Sequence, residues 1–288
     1  MSLLESVTGL AIIISFPLLL ALENRFSLRR RTSPLAHRLV INLVVSALAL
    51  VVGLFVVKSV TLRLALWTAE QPFGLLNLID LPTYVKFVVG FLLMDLTFYY
   101  WHQANHYVPI LWRFHGVHHM DPDLDVSTSF RFHFGEVLYS VAFRVLQVSL
   151  IGISPAVYAA YELAFQSATM FHHSNLRLPT EIERWINKVI VTPRMHGIHH
   201  SIVEDETNSN FSVIFRWWDS LHGTLRLNVR QSDIIIGVPA YLTPEDNRLW
   251  NVLASPFRKP KEYWRLPDGR ESKRDETSES DKRNILLP

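Results

Sequence analysis

Histidine is the residue type whose number and spacing in this sequence could do chemistry. There are 13 histidines, and all but His37 fall between residues 102 and 222. Eight of them form three clusters in which members stand three or four positions apart, so on a helix their imidazoles share a face and can approach a metal ion. The clusters are His102 and His106 in WHQANH, His115, His118 and His119 in HGVHH, and His196, His199 and His200 in HGIHH.

The clusters predict a site for two metal ions. Neutral imidazole binds iron, zinc, copper and nickel, and eight nitrogen donors exceed what one ion can bind. The ligand set alone accepts either iron or zinc. The HExxH motif common in zinc hydrolases is absent, and the lack of cysteine excludes thiolate zinc sites and iron–sulfur clusters held by this chain.

Three other interpretations of the histidines stay open at this point. Each ring could be satisfied by an ordinary hydrogen bond, the chain could be a membrane zinc hydrolase, or it could be a non-enzymatic metal-binding membrane protein. Nucleic acid is not an expected partner, because a net charge of +2 with scattered basic residues forms no basic stripe.

The elements that carry the clusters are predicted to be membrane helices. Apolar residues make up 49% of the chain. The runs 3–22, 39–57 and 83–100 can each cross a hydrocarbon core of about 30 Å. Residues 136–171 are apolar but split by Gly152 and Pro155, which predicts a helical hairpin. We therefore expect an all-α integral membrane protein with about four transmembrane helices, the last two forming the hairpin, and a cytoplasmic histidine-rich helical cap.

The orientation in the membrane is predicted from arginine. An excess of basic residues between the first two runs marks a cytoplasmic loop, which would place the histidine clusters on the cytoplasmic side. Residues 58–82 are expected to be an extracytoplasmic connection with room for an interfacial helix, broken by Pro72 and Gly74. The arginines of the loop are Arg25, Arg29, Arg30, Arg31 and Arg38.

Further motifs make the chain similar to the fatty acid hydroxylase superfamily, which includes sterol desaturases, sterol C4-methyl oxidases and sphingolipid hydroxylases. The resemblance runs from about residue 95 to residue 224. Besides the three clusters, it rests on HHSNLRLP from His172, TPRMHGIHH from Thr192 and WWDSLHGT from Trp217.

The resemblance also divides the chain. Residues 1–82 are expected to form the N-terminal transmembrane helices and connection, and residues 83–266 a fatty acid hydroxylase-like catalytic domain. Residues 267–288, in which acidic, basic and serine residues alternate, are expected to be a disordered tail.

The ligand set implied by the resemblance adds histidines outside the three clusters. His173 of the HSN element is an implied ligand, with His172 beside it as an alternative. His133 in RFHFGE matches the family's Arg-x-His-Pro-x-Glu element with Phe134 in place of proline, so it is either a ligand or a structural residue. The full set with a catalytic, metal-binding role is His102, His106, His115, His118, His119, His173, His196, His199 and His200.

Acidic and basic residues near these histidines are given supporting roles. Glu136 and Arg131 of RFHFGE are expected to orient histidines or cap the next helix. Asp95 lies seven residues before His102, and a buried acid there needs a partner, for which Arg144 in the hairpin is the candidate. The WWDSLHGT element is expected to form a turn that packs the cap.

The function implied by the resemblance is O₂-dependent oxidation of a lipid. Two iron ions would act on a C–H bond with O₂ as co-substrate, giving an alcohol or an alkene. The chain has no dinucleotide fingerprint, no haem-attachment motif and no cysteine, so electrons must come from a partner such as cytochrome b5, a ferredoxin or a reductase. The expected location is a bacterial inner membrane or the endoplasmic reticulum, with the histidines facing the cytoplasm.

Overall fold

The protein is helical throughout the part that its structure describes. A computed structural model describes residues 3–71 and 73–274, and in these ranges it contains twelve α-helices and no β-strand. The helices are α1 (Leu3–Arg25), α2 (Leu35–Val52), α3 (Lys58–Glu70), α4 (Thr83–Tyr107), α5 (Pro109–His119), α6 (Phe134–Ile151), α7 (Pro155–His173), α8 (Thr180–Ile186), α9 (Pro193–His199), α10 (Glu204–Thr207), α11 (Trp217–His222) and α12 (Leu249–Ala254).

Two stretches are long and apolar enough to cross a membrane, Leu35–Glu70 and Phe134–Ile151. The first joins α2 to α3 through a π-helical turn at Gly53–Val57. Its 36 residues extend about 54 Å at 1.5 Å per residue, longer than the hydrocarbon core of a bilayer.

The first half of the predicted connection is helical and is continuous with α2. Residues 58–70 contain neither glycine nor proline, so nothing interrupts the helical hydrogen bonds there. The helix ends at Gln71, whose backbone is extended. Pro72 lies outside the described residues.

The predicted hairpin is formed by α6 and α7, and Gly152 makes its turn. Gly152 adopts a left-handed conformation with φ of 74°. The connection packs on this turn so closely that a Cβ added to Gly74 would lie 2.5 Å from the Cα of Gly152. A core of α3, α4, α6 and α7 side chains, including the fully buried Met94 and Tyr161, fills the bundle beneath the turn.

A buried ionic network ties α2 to the segment that follows the HGVHH helix. The Arg38 guanidinium donates two hydrogen bonds of 2.8 Å to the Asp121 carboxylate and one of 2.5 Å to Asp125. Asn42, one turn further along α2, also donates to Asp121 at 2.9 Å. Burial alone would raise the pKa of Asp121, but Arg38 and Arg131 outweigh it and hold the pKa at about 2.

The loop before α2 is bound to the same region. Asp123 accepts hydrogen bonds from the backbone amides of Thr32 and Ser33. Glu23, at the end of α1, accepts the amides of Val126 and Asn175 at 3.1 and 2.8 Å. Two arginines of the arginine-rich loop, Arg29 and Arg38, are buried, whereas Arg25 and Arg30 are exposed.

The predicted disordered tail is described only as far as Arg274. Its first residues form a turn closed by an antiparallel bridge between Arg265 and Glu271. Arg274 then makes an ion pair of 2.5 Å with Glu206. The remainder of the tail lies outside the described residues.

Removing Arg38 should destabilise the fold strongly. Arg38→Met leaves Asp121 and Asp125 buried without their main partner, and breaking a buried pair in this way costs about 3–5 kcal/mol. We expect a large drop in the thermal unfolding midpoint of the detergent-solubilised protein. Arg248→Met is the control, because the Arg248–Glu245 pair is exposed and contributes no more than about 1 kcal/mol. Equal midpoints for the two variants would contradict the assigned role of the network.

Candidate metal centre

The structure gathers nine of the predicted ligand histidines into two groups. Within each group the candidate ligand atoms lie within 4.8 Å of one another, and every member is buried. The first group is His102, His106, His115, His119 and His199, and the second group is His118, His173, His196 and His200.

The HxxHH pattern serves both groups because of helix geometry. Neighbouring residues on an α-helix point about 100° apart. On α5, His119 therefore belongs to the first group and His118 to the second. At the end of α9, His199 belongs to the first group and His200 to the second. Helix α4 contributes only to the first group and α7 only to the second.

The second group has four ring nitrogens that face one another. The Nε2 atom of His173 lies 3.0 Å from the Nε2 atoms of both His118 and His196, and His196 Nε2 lies 3.1 Å from that of His200. The Nδ1 atoms of His118, His196 and His200 have no hydrogen-bond partner among the described residues. The Nε2 lone pairs that converge repel one another unless a proton or a cation lies between them, and a cation among the four rings would bind all four.

The first group has the same property. His102 and His199 bring their Nε2 atoms to 3.1 Å. Both ring nitrogens of His106 and of His119, and the Nε2 atom of His115, are buried without a partner in the part of the chain that the structure describes. Ligand atoms at right angles on one ion lie about 3 Å apart when metal–nitrogen distances are about 2.1 Å. The donors present thus fit a metal ion in each group.

The two groups adjoin, so the ions they could hold would be neighbours. The rings of His119 and His200, from different groups, stack with centroids 4.3 Å apart. The His118 and His115 rings, also from different groups, lie 5.4 Å apart. The arrangement is that of a candidate binuclear centre.

Hydrogen bonds to Nδ1 fix the direction of four ligand rings. His115 donates to the Glu136 carboxylate at 2.8 Å, as the RFHFGE element predicted. The other three acceptors are backbone carbonyls: Phe211 for His102 at 2.8 Å, Ser209 for His199 at 2.7 Å, and Thr169 for His173 at 2.8 Å. A proton held on Nδ1 leaves Nε2 free to bind metal. The sequence alone did not indicate these carbonyls.

The turn that presents the carbonyls of Ser209 and Phe211 is held in place by Asn210 and by the WWDSLHGT element. Asn210 has a φ of 56° and donates to the carbonyls of Met195 and Arg226 at 3.0 and 2.8 Å. Asp219 of WWDSLHGT accepts the backbone amides of Phe211 and Ser212. The motif was expected to be a packing turn, and in the structure that turn also orients the ligands His102 and His199.

Five imidazoles on α5, on α9 or directly after α9 are held in the form that binds metals. Burial is the main cause that lowers their pKa well below the ordinary histidine value, so the rings are neutral at neutral pH. The lowered residues are His118, His119, His196, His199 and His200.

The two remaining candidates, His133 and His172, lie outside both groups. His133 caps α6 by accepting the Gly135 amide at 3.0 Å, and its Nε2 lies 3.1 Å from the Leu253 carbonyl. Both of its ring nitrogens are therefore occupied, which favours the structural role. His172 packs against His196, with ring centroids 4.1 Å apart.

The expected Asp95–Arg144 ion pair is wrong. Asp95 accepts the Phe215 amide at 3.1 Å and the Trp218 indole N–H at 2.8 Å. Arg144 pairs with Glu162 at 3.0 Å instead. Asp95 thus anchors the C-terminal segment to α4, a partner that a helical spacing rule could not identify.

Gly197 of HGIHH lies in close contact with the Arg29 side chain. A Cβ at this position would lie 2.2 Å from a guanidinium nitrogen of Arg29. Arg29 reaches α9 from the loop before α2 and donates to Gln231 at 2.6 Å. The N-terminal part of the chain therefore packs directly on the third histidine cluster.

Glu136→Ala should weaken metal binding by the first group. Loss of the acceptor for His115 frees the ring, and partners of this kind are typically worth about 10–100-fold in metal affinity. Competition of the metal-free protein with a chelator measures the change. Glu136→Gln, which keeps an acceptor oxygen, should recover part of the affinity, and the exposed Glu181→Ala should leave it unchanged. An unaltered affinity in Glu136→Ala would contradict the orienting role.

Comparison of the chain with known protein families gives a match. Residues 87–224 match the fatty acid hydroxylase family. This range contains both histidine groups together with Glu136 and the three orienting carbonyls.

Several curated proteins are similar to part of the chain. An ornithine lipid hydroxylase of Rhizobium tropici is 30% identical over 157 residues, covering 54% of this chain and 46% of the relative. A human alkylglycerol monooxygenase is 28% identical, covering 47% and 29%. A cholesterol 25-hydroxylase-like protein of Danio rerio is 27% identical, covering 46% and 53%.

Each match covers only part of this chain and part of the relative, and the chain spans about half or less of the length of these relatives. No solved structure matches the chain. The relatives are named as hydroxylases and monooxygenases, which are oxidoreductases. Residues 87–224 of this protein are therefore similar to the fatty acid hydroxylase family.

Proposed function

We propose that the protein is a membrane-bound, non-haem di-iron oxygenase that hydroxylates a lipid, with desaturation as the related outcome. The observation that carries the proposal is the pair of adjoining groups of buried histidines. Five and four convergent nitrogen donors suit two redox-active ions, and the relatives' names indicate O₂-dependent lipid chemistry.

The nine grouped histidines would hold the metal ions. Two irons bound there would supply the O₂ chemistry needed to remove hydrogen from an unactivated C–H bond, and the separate donor protein would supply the electrons. The chain's own task is to keep the rings neutral, fixed and correctly directed, through Glu136 and the carbonyls of Thr169, Ser209 and Phe211.

Aromatic side chains would exclude water from the reaction. Phe132 stacks on His118 with centroids 4.6 Å apart. Phe211 lies 5.2 Å from His106, and Trp112 lies 4.9 Å from the same ring. Dry, close packing protects a reactive oxidant from side reactions and favours an apolar substrate.

The membrane arrangement proposed is four spans with the histidine domain on the cytoplasmic side. Two helices have the required length and apolarity, and α1 and α4 have 23 and 25 residues. Exposed apolar side chains, such as Ile13 on α1, Leu43 on α2 and Val88 on α4, suit contact with lipid. The substrate's acyl or sterol part would enter from between these helices.

The substrate class proposed is a membrane lipid, and the electron donor is a separate protein such as cytochrome b5, a ferredoxin or a reductase. The relatives are named for an ornithine lipid, an alkylglycerol and cholesterol. These substrates share a long or rigid apolar body, and that shared chemistry is what is carried over to this chain.

Oxygen from O₂ should appear in the lipid product. The test reconstitutes the iron-loaded protein with a panel of ornithine, glycerol-ether, sphingoid and sterol lipids, a reductase system and isotopically labelled O₂, with mass spectrometry as the readout. We expect a labelled hydroxyl group or, for desaturation, an O₂-dependent loss of two hydrogens. His118→Ala and His199→Ala, one from each group, should abolish the product, since each removes a ligand.

His172→Ala is the matched control, because this ring is buried beside the second group but is not one of its members. It should keep most of the activity. Product formation without O₂, supported by zinc, would instead favour the hydrolase interpretation.

A further inference from the structure

An exposed apolar surface on α8, α11 and the residues that follow α8 is not used by the proposed function. Five of its side chains are between 43% and 72% exposed. We call them the interfacial patch: Ile182, Trp185, Val189, Trp217 and Leu221.

The patch is one continuous surface. Ile182 and Trp185 are three apart on α8, and Trp217 and Leu221 are four apart on α11, so each helix presents its members on one face. The two helices meet where the Trp217 indole N–H donates to the Lys188 carbonyl at 3.1 Å. The Arg216 amide also donates to the Val189 carbonyl at 3.1 Å.

The patch adjoins the proposed membrane helix α4. The ring of Phe215, on which Trp217 stacks at 4.5 Å, contacts that of Phe91 on α4. The other end of α11 reaches the same helix, because the Tyr100 hydroxyl lies 2.7 Å from a ring nitrogen of His222. The patch therefore adjoins α4 from the partly buried Phe91 to the exposed Tyr100.

The charges of the patch suit lipid headgroups. Lys188 is exposed, and its ammonium lies 3.3 Å from the centroid of the Trp185 ring. Arg216 is partly exposed beside Trp217. Tryptophan flanked by lysine and arginine is typical of the boundary between hydrocarbon and headgroups, where the ring is buried and the cation meets phosphate.

We propose that the interfacial patch is embedded in the cytoplasmic leaflet of the bilayer, at the level of the headgroups. This inference rests on the membrane insertion proposed above and adds a second mode of lipid contact by a part of the chain that spans nothing. A protein partner or a second copy of the chain is the competing occupant, but the patch's continuity with α4 and its cations favour anionic lipid.

The patch would hold the metal centre against the leaflet. The inner face of α8 carries Glu183, which accepts hydrogen bonds from the backbone amide and the guanidinium of Arg194 at 3.2 and 2.7 Å. Arg194 lies at the start of the helix that carries His196 and His199. With lipid on one face of α8 and a ligand helix on the other, a lipid could reach the metals without leaving the membrane.

The absence of cysteine permits a site-specific test. Trp185→Cys and Leu221→Cys are made in the full chain, labelled with a nitroxide and reconstituted in vesicles of phosphatidylcholine and phosphatidylglycerol. Electron paramagnetic resonance then compares collisions with O₂, which enriches in lipid, and with a water-soluble nickel chelate. Val88→Cys, on the exposed face of α4, is the lipid control, and Asp268→Cys, in an exposed charged turn, is the aqueous control.

We expect both patch labels to favour O₂ over the chelate, with ratios between those of the two controls. Ratios equal to the aqueous control, with Val88→Cys still in lipid, would overturn the inference and leave membrane insertion intact. Exclusion of both reagents would overturn it in favour of a protein partner. Chelate access at Val88→Cys would show that the proposed membrane insertion itself is wrong.

Discussion

Buried imidazole nitrogens that face one another without partners are the constraint on which the rest of the structure depends. In the second group, Nε2 atoms approach to 3.0 Å, and in the first group both nitrogens of His106 and His119 are unsatisfied by any described residue. Such atoms raise the free energy of the fold unless a cation is bound. The chain therefore uses much of its polar structure to hold these rings in place.

That supporting structure comes from regions far apart in sequence. The Asn210 turn, closed by Asp219, directs His102 and His199 from the C-terminal side. From the N-terminal side, Arg38 binds the segment after HGVHH and Arg29 lies on Gly197 of HGIHH. The ligand helices α5 and α9 are thus fixed from both sides. This explains why the N-terminal helices and the histidine-bearing helices pack as one body around the centre.

Periodic features were predictable from the sequence. Histidine spacing identified eight of the nine grouped residues, the family resemblance added His173, and the apolar run broken at Gly152 identified the hairpin. Long-range contacts were not predictable, since spacing along one helix says nothing about its neighbour. For this reason the sequence did not predict that Asp95 accepts a hydrogen bond from Trp218 and makes no ion pair with Arg144. The carbonyls that orient His102, His173 and His199 have no side-chain signature, and the sequence did not predict that the helix at residues 58–70 is continuous with α2.

The metal content of the purified protein tests the central claim most directly, because the account requires two adjoining sites with separate ligands. After iron-replete expression, the wild type should contain about two iron ions per chain. His118→Ala and His199→Ala should each reduce iron binding, and His133→Ala should not, since His133 lies outside both groups. A single ion per chain in the wild type, or full metal content in either ligand variant, would contradict the binuclear centre.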